Sequence, residues 1–172
     1  MSEPTTACGV AFRDWEVRAF HRGTKTRYSV PMKTQPPAST RRMVPSLSDR
    51  LWLPVVPQVR DPLGCLGLGP LDIEGYAQPI WIGGPMVGDR AWILEVTGLR
   101  IRRVQDMGPD DAIAEGCPDS FELGGEYCVD RMDTRVVWFM DYWNRRYARK
   151  GLSWDRNPWV IVRDVRLVED ET

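Results

Sequence analysis

The most constraining feature of the chain is a run of strict alternation. From Ala91 to Gly98, Trp92, Leu94 and Val96 fall on one side of an extended backbone, and Ile93, Glu95 and Thr97 on the other. A further strand, Leu99 to Val104, alternates apolar residues with arginine. Strands need neighbours for their backbone hydrogen bonds, so the chain must build a sheet. Trp159 to Leu167 reads as its last strand; Val160, Val162 and Val165 break the alternation there and predict one bulge. Val10 to Phe12 and Gln78 to Ile82 read as short strands. Arg50 to Val56 has strand character, but Pro54 and Pro57 make it an edge or a broken strand.

Helices are expected between these strands. Asp14 is a plausible N-cap for a helix through Arg22, with Trp15, Val17 and Phe20 as its apolar face and Gly23 as its stop. A short helix starts at Pro109, carries Asp110 and Asp111 in its first turn, and ends at Gly116. A longer one runs from Thr134 to Arg149, with Val136, Val137, Phe139, Met140, Trp143 and Tyr147 as its apolar stripe. Segments 31–47 and 61–75 read as irregular loops, and 1–9 and 168–172 as flexible ends. Antiparallel-looking strands with a few short helices predict an α+β fold: a small curved sheet or barrel with short peripheral helices, in one domain spanning 1–172.

Composition narrows the function. Hydrophobic residues at 42% and charged residues at 27% support a packed core. A net charge of −1 excludes a uniformly basic nucleic-acid coat. Basic side chains nevertheless gather from Arg13 to Arg50 and from Arg145 to Arg166, and would form one patch if the fold joined them. Cys8, Cys65, Cys117 and Cys128 are scattered and His21 is the only histidine, which argues against a zinc site and against histidine-based catalysis. No metal or cofactor is expected. Neither a secretory signal nor an apolar run of about 20 residues is present, so a cytoplasmic protein with free thiols and no membrane partner is expected.

Three segments could carry chemistry. Gly23-Thr24-Lys25-Thr26-Arg27-Tyr28-Ser29 places basic and hydroxyl side chains on a turn suited to an anion or a polar planar ligand. Glu115, on the last turn of its helix, opposes the helix dipole and calls for a lysine partner or a ligand. Trp154-Asp155-Arg156-Asn157-Pro158-Trp159 turns the chain into its last strand, and Asn157 could brace backbone or hydrogen-bond a base edge.

The ordered set resembles the ASCH domain family of the PUA-like superfamily, in the form common in phages and prophages. It comprises Val17-Arg18-Ala19-Phe20, Gly23-x-Lys25-Thr26, Lys33-x-Gln35-Pro36-Pro37, Asp49-Arg50-Leu51-Trp52, Leu94-Glu95-Val96-Thr97, Gln105-Asp106, Asp111-Ala112-x-Ala114-Glu115-Gly116-Cys117, Trp143-Asn144 and Trp154-Asp155-x-Asn157-Pro158-Trp159-Val160. The resemblance implies a PUA-like β-barrel whose cleft, between barrel and helices, binds RNA or a modified nucleobase. It implies Lys25 and Glu115 as the catalytic pair where a member is an amidohydrolase acting on N4-acylated cytidine. Tyr28 stands where such members have threonine, Ser29 where arginine is usual, and Leu53-Pro54-Val55 where a charged pair is usual. The expected ligand-contacting residues are Thr26, Arg27, Tyr28, Ser29, Trp52 and Asn157, with Arg145 and Arg146, alongside Arg27, on backbone phosphates. Two further readings stay open: hydrolysis of a modified nucleoside or of RNA, and a phage protein that uses the scaffold to bind or inhibit a host protein.

Overall fold

The computed structural model describes residues 12–36, 40, 42–45, 51–55, 71–72, 74–77, 80–82, 92–118 and 133–169. Its centre is a four-stranded antiparallel sheet. β1 (Arg27–Pro31), β5 (Ile80–Ile82), β6 (Trp92–Arg103) and β7 (Trp159–Glu169) lie in the order β1-β7-β6-β5. The two segments expected from Ala91 to Val104 form one long strand, β6. The predicted bulge exists, but it falls in β6: Val96 pairs with Val165 and Gly98 with Asp164, leaving Thr97 as the extra residue. That residue switches the parity of the strand. Leu94 and Val96 pack with Phe20 and Tyr28 before it, whereas Leu99 and Ile101 pack with Trp159 and Ile161 after it. The run Trp159–Val162 has a different cause, burial on both faces. Val160 and Val162 face the cluster around the long C-terminal helix, while Trp159 and Ile161 meet Met32 on the other side.

The helices lie where the periodicity placed them. α1 (Asp14–His21) starts one residue after its N-cap, Arg13, whose backbone N–H donates to Glu16 Oε2 at 2.9 Å. Asp14 is therefore inside the helix. α3 (Pro109–Ala114) is capped by Glu115, and α4 (Thr134–Tyr147) ends in a single 3₁₀ turn before Gly151. In the α4 stripe Tyr142 is buried, whereas Met140 is only half-buried.

The remaining strands, β2 (Arg42–Pro45), β3 (Leu51–Val55) and β4 (Leu71–Asp72), form a second antiparallel sheet in the order β2-β3-β4, with α2 (Glu74–Ala77) following. This corrects three expectations. The segments 31–47 and 61–75 contain strands, and β3 is central rather than an edge. Among the described residues β4 pairs with Leu51 and Trp52 and not with Pro54, which is paired with Met43 of β2. Among the described residues the strands make two open sheets, not the closed barrel expected; the α+β class stands. Val168 and Glu169 belong to β7 and pair with Ile93 and Trp92, so these two are not part of the flexible end expected; residues 170–172 lie outside the described residues. Residues 10 and 11 of the expected first strand lie outside the described residues, and Phe12 is not in a strand. No helix among the described residues is long and apolar enough to cross a membrane.

The Trp154–Trp159 segment fastens these parts. Asn157 adopts the left-handed conformation at φ 47°, its Oδ1 accepts from Gln105 N at 3.0 Å, and its carbonyl accepts from Arg103 Nη1 at 2.9 Å. Gln35 reaches the same corner. Its amide accepts from Trp159 N at 2.7 Å and donates to Trp159 O at 2.9 Å, a carbonyl that also accepts from Met32 N at 3.1 Å.

Candidate functional site

α1 ends at a left-handed Gly23, φ +70°, and the turn folds back so that Thr24 N and Lys25 N donate to Ala19 O at 3.0 and 3.1 Å. The chain then docks on the end of α3. Thr26 N donates to Ala114 O at 2.9 Å, and Lys25 Nζ donates to Glu115 O at 2.6 Å. Two of the carbonyls that a helix C-terminus leaves without partners are thus satisfied by the Lys25 turn. Lys25 Nζ also donates to Glu115 Oε2 at 2.8 Å. Lys25 and Glu115 therefore meet, as the helix-dipole argument required, and the ammonium sits at the negative end of α3.

The pair is sealed. Both side chains are 0% exposed, and Phe20, Tyr28 and Tyr142 surround the ammonium with ring centroids at 5.5, 5.9 and 5.4 Å. Gly116 closes the site from the α3 side at φ +97°. A Cβ there would lie 3.3 Å from both Lys25 Cβ and Trp15 Cζ3, so glycine serves both the conformation and the close approach. Among the described residues no hydroxyl bonds Lys25, and Glu115 Oε1 is buried without a hydrogen-bond partner.

A second, partly buried ion pair adjoins the first. Glu16 is fully buried, and its carboxylate accepts from Arg146 Nη1 at 2.9 Å and from the Tyr142 hydroxyl at 2.7 Å. Arg146 lies over the Tyr28 and Tyr142 rings, at 5.5 and 5.6 Å, and reaches the Tyr28 hydroxyl at 3.5 Å. Burial holds the Tyr28, Tyr142 and Tyr147 phenols above their ordinary range, so all three remain protonated. Sequence reasoning missed Glu16. The signal available was a glutamate three residues after the N-cap position, beside apolar neighbours.

The remaining candidates separate. Arg27 is engaged by Asp111 and, at 2.9 Å, by Asp164, so it is not presented to a phosphate. Arg146 is committed to Glu16 in the same way. Tyr28 and Ser29 are buried, and the Tyr28 ring packs in the core beside Lys25. Asn157 works on backbone. Trp52 lies in β3, and its side chain falls outside the described residues. Thr26 and Arg145 are exposed.

Open space lies beside the sealed pair. A groove of about 670 Å³ runs between α1 and α3. Trp15, Arg18 and Arg22 of the α1 face meet Thr24, Thr26 and Asp110 across it. Arg18 and Arg22 are exposed and form no ion pair among the described residues. A smaller groove of about 300 Å³ lies between α1 and α4, lined by Arg13, Trp15, Trp138 and Arg145 among others. No protein-family model, curated protein or solved structure matches this chain.

Proposed function

We propose that this chain is an ASCH-like module that binds RNA or a modified nucleobase in the groove between α1 and α3. One observation carries the reading. Two unpaired arginines, an acidic acceptor, two hydroxyls and an indole converge on one open groove beside the family's lysine and glutamate. Arg18 and Arg22 meet phosphate oxygens, Asp110 accepts from an exocyclic amine, Thr24 and Thr26 hydrogen-bond the sugar or base, and Trp15 packs on the ring. Lys25 and Glu115 hold the groove walls together without touching the ligand. The resemblance supplies the class of ligand, and the groove supplies the contacts.

The test is titration of a short unstructured RNA at low salt. The wild type binds, and Arg18→Ala/Arg22→Ala binds at least about tenfold more weakly, because each lost charge-assisted bond is worth more than about 1 kcal/mol. Absence of binding by the wild type would overturn the reading.

A hydrolytic reading draws on the 2.8 Å Lys25–Glu115 contact and the unpartnered Glu115 Oε1. It requires a nucleophile that the buried pair could activate. Turnover of N4-acetylcytidine by the wild type, abolished in Lys25→Ala, would establish it in place of pure binding.

A further inference from the structure

We propose that the two grooves form one track, and that the ligand is a single strand of RNA at least two nucleotides long rather than a free nucleoside. This rests on the binding reading above and specifies its ligand.

Among the described residues the grooves share Trp15 and Pro118. Trp15 is therefore a common wall, and α1 is the spine of the track. Its groove-facing positions, Trp15, Arg18 and Arg22, follow one helical face at i, i+3 and i+7 and extend about 10 Å along the axis. Arg13 continues the basic line into the second groove, and Arg145 faces it from α4. The second groove is aromatic. Trp138 lies parallel to Tyr142 with centroids 5.4 Å apart, and Trp15 stands nearly perpendicular to both, at 5.9 and 5.8 Å. These rings hold one another in place, and Trp138 is only half-buried. Such a wall suits a nucleobase, whose π-face stacks without regard to sequence.

Charge selects the occupant. Arg13, Arg18, Arg22 and Arg145 are all exposed, and among the described residues the acids lining the track are Asp110 and Asp141. Asp141 is already paired with Arg145 at 2.8 Å, an exposed i,i+4 pair of small strength that a phosphate can replace. The described lining of the track thus carries more positive than negative side chains. A free nucleoside would fill the larger groove and leave the aromatic wall, Arg13 and Arg145 without a ligand. A dinucleotide places one base in each groove and its connecting phosphate beside the arginines of α1.

The experiment compares adenosine monophosphate, the dinucleotide ApA and a tetra-adenylate by calorimetry at one low salt concentration. The dinucleotide should bind about tenfold more tightly than the mononucleotide, the gain of one stacked base. Trp138→Ala should remove that gain and bring the ratio of dinucleotide to mononucleotide affinity to about one. Arg145→Ala, an exposed substitution that spares the core, should weaken the tetranucleotide several-fold, because its further phosphates reach the second groove. Equal affinity for mono- and dinucleotide in the wild type, or an Arg145→Ala protein indistinguishable from wild type, would overturn the track while leaving the single-groove reading intact. No binding at any length would overturn both.

Discussion

Lys25 carries three ammonium protons, and two of them end on Glu115, one on its carboxylate and one on its carbonyl. Its first effect is on the fold. With the lysine removed, a fully buried carboxylate would lose its only ion-pair partner among the described residues. Lys25→Met should therefore destabilise the protein by about 3–5 kcal/mol. Adding Glu115→Leu should restore most of that loss, leaving about 1 kcal/mol for the carbonyl that Lys25 no longer caps. Equilibrium denaturation of the two variants measures both; a single variant as stable as wild type would contradict the brace. At this scale the sequence was informative about which residues meet and silent about their burial. The spacing from Gly23 to Lys25 and the position of Glu115 on its helix foretold a partner. The wall that seals the pair comes from Phe20, Tyr28 and Tyr142, and Tyr142 lies far away in sequence. Glu16 escaped notice for the same reason: its partner Arg146 is 130 residues distant.

The α1–β1–α4 junction adds a pH dependence. Tyr28 on β1 and Tyr142 and Tyr147 on α4 all have phenols raised above 10.0, chiefly by burial. Below about pH 10 they are protonated in the folded and unfolded chain alike, and the stabilisation is complete. Above it, the unfolded chain releases protons that the fold retains, so stability falls as pH rises. Each phenol contributes up to about 1.4 kcal/mol per pH unit. Denaturant midpoints at about pH 9 and about pH 11 should show this fall, and Tyr28→Phe should make it shallower. A midpoint unchanged across that range would contradict the junction. The elements themselves were unevenly legible. Period and caps located α1, α3 and α4 to within a few residues, because those signals are local. Strands β2 and β4 read as loops because proline and glycine dominate their surroundings, while their stability comes from pairing with β3. The bulge was foreseen from β7 but lies in β6, since a register shift is a property of two strands and shows in the alternation of both.

For the molecule as a whole, Arg18 and Arg22 line the larger groove and Arg13 and Arg145 the smaller one. The two basic segments that composition marked thus meet across α1 and α4. Which arginines are left to solvent was not legible, because Arg27 and Arg146 look alike in sequence yet end in ion pairs with Asp111, Asp164 and Glu16. Only the fold separates a structural guanidinium from one left to solvent. That distinction is the central claim, and the salt dependence of RNA binding tests it most directly. For a short single strand, the slope of log affinity against log salt should be about −0.7 per phosphate contact. Arg18→Ala/Arg22→Ala should make the slope shallower by about 1.4. A slope unchanged by that double substitution would contradict the account.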